Sequence, residues 1–309
     1  MKLESNGVVF VMRDLQNEKP VYPIYISRVG VKNIKRRIIL EGPKGRLHFD
    51  AILDVYVDLP AERRGVHMSR NIEAFIEAID AVRLKPLPTI EKILDTICDI
   101  LLKKHEYATR AEVTAKTTYF YTETFLGIPA EEAADVEIKV AKTREGNVTY
   151  TVKVSLTGMT VCPCAQETYR SMEKTKLPHT PSHTQRAKLY LSIKTKGVFV
   201  RMEKLIEAGK AAFSAPTLSL LKRVDEYRLV KHAFENPRFV EDVARAALCN
   251  LYRIVNGKVP EDSEIEVEVV SYESIHPYDA YAYARFTLKD LRREIEEAKK
   301  VSVELTCEE

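Results

Sequence analysis

"TIEKILDTICDILLKKH", residues 89–105, carries Ile90, Ile93, Leu94, Ile97 and Leu101 at helical spacing. That period places five apolar side chains on one stripe. Thr89 fits the N-cap, and Lys103, Lys104 and His105 suit the negative C-terminal end of the helix dipole. Just before it, "MSRNIEAFIEAIDAV" (68–82) puts Ile72, Phe75, Ile76 and Ile79 at i, i+3, i+4 and i+7, a second amphipathic helix. Strand composition lies on either side. "VYPIYISRVGVKNIKRRIIL" (21–40) and "RLHFDAILDVYVDLP" (46–60) are rich in β-branched and aromatic residues, with Gly-Pro-Lys-Gly (42–45) as the turn. "YATRAEVTAKTTYFYTETF" (107–125) and "ADVEIKVAKT" (134–143) follow. The order is ββααββ.

The same order returns in the second half. "VTYTVKVSL" (148–156) and "RAKLYLSIK" (186–194) alternate as strands; "VRMEKLIEAGKAAF" (200–213) and "NPRFVEDVARAALCNLYRIV" (236–255) read as helices. Asn236 is the candidate N-cap of the latter, with Pro237 at its first position. "SEIEVEVVSYESI" (263–275) and "YDAYAYARFTL" (278–288) close the unit as strands, and "KDLRREIEEAKK" (289–300) is a solvated helix. The chain is therefore read as α+β, in two tandem units, 1–145 and 146–309, joined at the turn "REGN" (144–147).

The 309 residues are 45% hydrophobic and 30% charged, which permits a packed core rather than disorder. A net charge of +3, spread along the chain, gives no basic field for nucleic acid. No stretch approaches the roughly 20 apolar residues that span a bilayer, and the N-terminus lacks a signal-peptide pattern. The expectation is a soluble, cytoplasmic protein with no membrane partner. Of five cysteines, Cys98 and Cys249 fall in apolar helical patterns, which predicts buried small hydrophobes, and Cys307 lies in the tail. That leaves Cys162 and Cys164, one residue apart, followed by His179 and His183. In a reducing compartment such a pair points to metal or catalysis rather than a disulfide. Pro163 between them favours an extended chain in which both thiols face one side. Thiolate and imidazole together suit Zn or Fe. Two readings stay open: a reactive site with an open metal position, or a closed Cys2His2 zinc site that includes His179.

Further candidates lie downstream. The charged stretch 218–242 reads as a loop between two helices and holds Lys222, Arg223, Glu226 and Lys231. Glu241 borders the apolar stripe of Val240, Val243, Ala244 and Ala247. His276 sits at a turn before Pro277, where an imidazole can move protons near neutral pH. His67 and Arg70, at a helix start, suit a phosphate.

Taken in series, "CPCAQ" (162–166), "HTQR" (183–186), "LKRVDE" (221–226), "ENPRFVED" (235–242), "ESIHPYDAYA" (273–282) and "GVHMSR" (65–70) resemble the type IB GTP cyclohydrolase family. Its archaeal MptA-type branch is the most similar, and the likeness runs in order over nearly the whole chain. The resemblance implies the tunnelling fold: two ββααββ units per chain, with antiparallel sheets and helices on one face. It implies homo-oligomers, dimers or tetramers, with active sites where units meet. Carried over by matching motif, Cys162, His183 and Glu226 become metal ligands. Cys164 and His276 lie near the reacting ring, and Glu241 anchors the purine edge. Arg186, Lys222, Arg223 and Lys231 are available to the triphosphate, with His67 and Arg70 as further substrate contacts. The implied substrate is GTP and the implied cofactor Fe(II), with Zn or Mn as substitutes. "HTPSHTQR" (179–186) is longer than in bacterial members and has Thr184 where they have Asn, which favours the archaeal branch. That branch implies a 7,8-dihydroneopterin 2′,3′-cyclic phosphate product for methanopterin-type cofactors; the bacterial one implies dihydroneopterin triphosphate.

Overall fold

The computed structural model describes residues 2–5, 8–11, 13–42, 45–84, 89–175 and 180–306. Pro43 and Lys44 of the expected turn, His179 and Cys307 lie outside the described residues. The chain forms two compact units, Met1–Lys116 with Lys139–Thr149, and Thr117–Ile138 with Tyr150–Glu309. The division therefore differs from 1–145 and 146–309. A strand hairpin contributes its base to the first unit and its tip to the second.

In the first unit β1 (Lys2–Ser5) pairs antiparallel with β2 (Val8–Val11). The main sheet begins with β3 (Ile26–Gly42) and β4 (Gly45–Leu59), an antiparallel pair with Ile38 opposite Phe49 and Val31 opposite Val55. Helices α1 (Met68–Leu84) and α2 (Ile90–Lys104) follow, then β5 (Arg110–Phe125) and β6 (Ile128–Thr143). This is the expected ββααββ order. All five apolar positions of the α2 stripe are buried, as are Leu53, Val55 and Val57 of β4, and α2 packs along α1. Thr89 occupies the N-cap with extended backbone, but its side chain makes no capping bond. Helix α1 faces the core through Ala74, Phe75 and Ala78, while Ile76 is 46% exposed. The period is as expected and the face is rotated, because two alanines let the helix lie closer to its neighbours than isoleucines would.

The second unit carries β7 (Val148–Val161), α3 (Pro163–Glu173), β8 (Thr184–Lys196), α4 (Met202–Lys210), β9 (Ala215–Pro216) and α5 (Arg223–Glu235). Next come α6 (Val240–Val255), β10 (Glu264–Ser271), β11 (Ala280–Thr287) and α7 (Leu288–Thr306). Strand β10 lies between β8 and β11 and is antiparallel to both, with Val267 opposite Leu191 and Ala284. Its side chains alternate buried and half-buried, so one face is core. Onto that face pack α4 and α6, with Leu205, Val243, Ala247 and Leu251 buried against Leu189, Leu191 and Val267. Gly209 permits the close approach of α4, since a Cβ there would meet the Leu156 side chain at 2.6 Å. No described helix is long and apolar enough to cross a membrane.

Three local expectations are corrected. The stretch expected as a loop forms α5. Its apolar stripe is thin, with only Leu229 and Ala233 buried, joining Val161 and Ala215 in a small cluster. Helix α6 begins at Val240, not after Asn236, and Asn236 instead ends α5, its side chain donating to the His232 carbonyl at 2.8 Å. The Phe239 N–H at the true start is satisfied by Asp242 at 3.1 Å. Third, Cys162 has the extended backbone expected before proline, but the extension stops there. Cys162 is the N-cap of α3 and Pro163 its first residue, where the missing N–H is harmless. Cys162 and Cys164 therefore do not share one side of a strand, because helix geometry rotates successive side chains by about 100°.

Candidate metal centre and active site

One end of the second unit's sheet gathers most of the candidates. Strand β7 ends at Val161 and β8 begins at Thr184, so Cys162 and His183 flank the ends of two hydrogen-bonded neighbours. The Cys162 N–H donates to the His183 carbonyl at 3.2 Å, and the Ser182 hydroxyl donates to the Cys162 carbonyl at 2.6 Å. The Ala165 N–H, in the first turn of α3, donates to Cys162 Sγ at 3.4 Å. Cys162 is half-buried and Cys164 is exposed. Ser271, the last residue of β10, lies opposite Ala187, so the following loop rises at the same end with Glu273 and His276. The His183 and His276 rings stand edge to face with centroids 6.5 Å apart, and His276 stacks on Tyr278 at 5.0 Å.

His183 Nδ1 lies 2.9 Å from Gln185 Oε1. Its Nε2 has no hydrogen-bond partner among the described residues. Glu226, in the first turn of α5, lines an open cleft of about 540 Å³ with Thr180, Pro181, Arg223, Lys231 and Phe234. The cleft thus begins beside the segment that leads into His183. Lys222 immediately precedes α5, and Lys231 stands 3.9 Å from Glu235. Arg186 is exposed on β8. Arg238 forms an isolated antiparallel bridge with Val161, which anchors the start of α6 next to Cys162. Glu241 is exposed in the first turn of α6 and has no ion-pair or hydrogen-bond partner among the described residues.

The donor types fit a divalent transition metal: a thiolate, an imidazole with one nitrogen held and the other open, and a carboxylate. Among the described residues no three Cys, His, Asp or Glu side chains are drawn into one ligand cluster. Cys162 and His183 are joined through their backbones, and Glu226 lines the cleft beside Thr180 and Pro181.

His67 and Arg70 belong to the first unit. Arg70 Nη1 donates to the Lys104 carbonyl at 3.1 Å, ending α2. His67 Nε2 is buried without a hydrogen-bond partner, 3.8 Å from Asp14 Oδ1. Cys98 is buried as expected, while Cys249 is only half-buried.

Residues 12–282 match the family described as type I GTP cyclohydrolase folE2. The chain belongs to that family. Among curated relatives, the GTP cyclohydrolase MptA of Aeropyrum pernix is 42% identical over 280 residues, covering 90% of this chain and 97% of that protein. The GTP cyclohydrolase MptA of Methanococcoides burtonii is 32% identical over 306 residues, covering 91% and 96%. Among solved structures, the uricase of Arthrobacter globiformis aligns at 11% identity over 84% of this chain and 93% of that one, with a TM-score of 0.49. Membership of an enzyme family sets aside the non-enzymatic binding module. The ββααββ units with antiparallel sheets are the tunnelling fold expected for a type I cyclohydrolase.

Sequence reasoning missed Gln185 and Glu273, which stand beside the His183 ring, and Thr160 and Ser271, which hydrogen-bond to them. Gln185 carried a signal, because it stands two residues from His183 at the start of a strand. Glu273 carried none, since only the register of β8 and β10 brings it there.

Proposed function

We propose that this GTP cyclohydrolase hydrolyses the guanine imidazole ring of GTP, with a divalent metal held by Cys162, His183 and Glu226. The metal assigned is Fe(II), with Zn or Mn able to substitute. The observation that carries the reading is the pairing of Cys162 with His183, whose Nδ1 is held and whose Nε2 is free, beneath His276. When bound, such a metal makes hydroxide available near neutral pH. Water must add at C8, the ring must open, and formate must leave. His276 and Cys164 are exposed groups that can pass protons to and from the ring nitrogens as those bonds break. Arg186, Lys222, Arg223 and Lys231 supply cations for the triphosphate, and two of them line the cleft with Glu226. His67 and Arg70 are assigned as further phosphate contacts. The working form is assigned as a homo-oligomer, a dimer or tetramer, with active sites at interfaces between copies.

Glu241 is the proposed purine anchor. An ionised carboxylate accepts both N1–H and N2–H of guanine, whereas an amide presents only one acceptor oxygen. Glu241→Gln is expected to keep its metal and its fold while GTP affinity falls by roughly 1.5–3 kcal/mol, the worth of a charge-assisted hydrogen bond. Calorimetric titration with GTP checks this. Unchanged affinity would leave Glu241 as a helix-end charge.

The product assigned is 7,8-dihydroneopterin 2′,3′-cyclic phosphate, for methanopterin-type cofactors, supported by the similarity to MptA proteins. Protein purified in air is expected to hold Zn or little metal and to turn over slowly, since raw affinity favours Zn over Fe(II). Fe(II) added without oxygen should restore turnover. Chromatography of the pterin then decides: dihydroneopterin triphosphate as the sole end product would overturn the cyclic-phosphate assignment and leave the substrate intact.

A further inference from the structure

His183 sits at the head of a polar chain that runs into the interior of the second unit. Its Nδ1 lies 2.9 Å from Gln185 Oε1. The Gln185 amide nitrogen donates to Thr160 Oγ1 at 3.0 Å and to Glu273 Oε1 at 3.4 Å. Thr160 Oγ1 is 3.3 Å from Ser271 Oγ, and Ser271 Oγ is 2.9 Å from the same Glu273 Oε1. Thr160 and Ser271 are each 1% exposed, so neither hydroxyl can turn to water instead. The other Glu273 oxygen stands 3.8 Å from His183 Nδ1, and the two side chains are 13% and 10% exposed.

The chain has a direction, and Glu273 sets it. An ionised carboxylate accepts and never donates. Ser271 must therefore give its proton to Glu273, which leaves Ser271 Oγ to accept from Thr160. Thr160 Oγ1 must then accept from Gln185. With its nitrogen pointing at two acceptors, the Gln185 amide has one orientation, oxygen toward the imidazole. That oxygen can only accept, so the neutral imidazole carries its proton on Nδ1 and its lone pair on Nε2. We infer that Gln185 and Glu273 are positioning residues that fix the Nε2 lone-pair tautomer of His183. Glu273 acts both through Gln185 and by its own charge near Nδ1. The inference rests on the reading of His183 as a metal ligand only for its consequence, a site formed in ligating form before any metal arrives. Glu273 is also three residues from His276, and the adjoining Tyr272 N–H donates to the Arg186 carbonyl at 2.9 Å. The same contacts therefore hold the loop that carries the proposed proton-transfer imidazole.

The test uses metal-free full-length protein labelled with ¹⁵N in histidine. Long-range ¹H–¹⁵N correlation spectra report which ring nitrogen bears the proton, and His183→Ala identifies the resonance. The wild-type protein is expected to show the Nδ1–H tautomer. Glu273→Gln keeps the shape but can donate, so the chain can reverse. It is expected to show a mixture of tautomers and a Co(II) affinity lowered about tenfold or more, the range for removing an outer partner of a ligating histidine. A wild-type His183 protonated on Nε2 would overturn the inference. So would a Glu273→Gln protein with both tautomer and Co(II) affinity unchanged. Full Co(II) affinity in His183→Ala would instead remove His183 from the metal, and the tautomer measurement would still decide the role of Glu273.

Discussion

Cys162→Ala and His183→Ala are each expected to lose bound metal and formate release together. Both residues stand at the sheet end where β7 finishes and β8 begins, joined by the Cys162 N–H to His183 carbonyl bond. That bond uses backbone atoms only, so either alanine leaves it in place. The structural cost of Cys162→Ala is the bond from the Ala165 N–H to Sγ. Loss of a side-chain N-cap costs about 0.5–2 kcal/mol, a fraction of the 5–15 kcal/mol typical of a folded protein. The variants should therefore fold, with circular dichroism and melting behaviour near wild type, while metal analysis and the formate assay both fail. Full metal occupancy in both folded variants would remove these residues from the metal site.

The second large effect lies in the first unit and concerns acid. His105 is fully buried, with Nε2 2.9 Å from Asn71 Oδ1 and Nδ1 3.0 Å from the Tyr107 hydroxyl. Burial, reinforced by the nearby charges of Arg70 and His67, lowers its pKa from 6.5 to about 4. The folded protein therefore keeps His105 neutral while the unfolded chain takes up a proton near pH 6.5. Stability from this residue is complete above pH 6.5 and is lost as pH falls toward 4. The gap corresponds to roughly 3 kcal/mol in full, of which about 2 kcal/mol is gone by pH 5, before most carboxylates titrate. Urea unfolding at pH 7 and pH 5 should show this drop in the wild-type protein. His105→Gln should be less stable at pH 7 yet nearly flat over the same interval. An equal drop in both proteins would place the acid sensitivity elsewhere.

The contrast between elements shows what local sequence can carry. Helix α2 was legible because five apolar residues fall on one stripe and all five are buried. Strand β10 was legible because its alternation is complete. Helix α5 was hidden, because only Leu229 and Ala233 are fully buried, with Phe234 half-buried beside them, and most of its remaining surface is charged or exposed. Helix α3 was hidden for the same reason, with Gln166 its one buried residue. In the site, cysteine and histidine were conspicuous as residue types, and the structure makes Cys162 and His183 neighbours. Of their supporting polar groups only Gln185, two residues beyond His183, carried a signal. Thr160, Ser271 and Glu273 are ordinary strand and loop residues until strand register sets them side by side. The face of α1 was misplaced because isoleucines attract attention, while Ala74 and Ala78 permit the close packing that buries that side.

The most direct test of the account is anaerobic incubation of the Fe(II)-loaded protein with GTP, measuring formate against GTP consumed. The account predicts stoichiometric formate with a pterin product, and none from Cys162→Ala prepared identically. Folded, metal-replete protein that leaves GTP untouched, or that releases phosphate without formate, would contradict it.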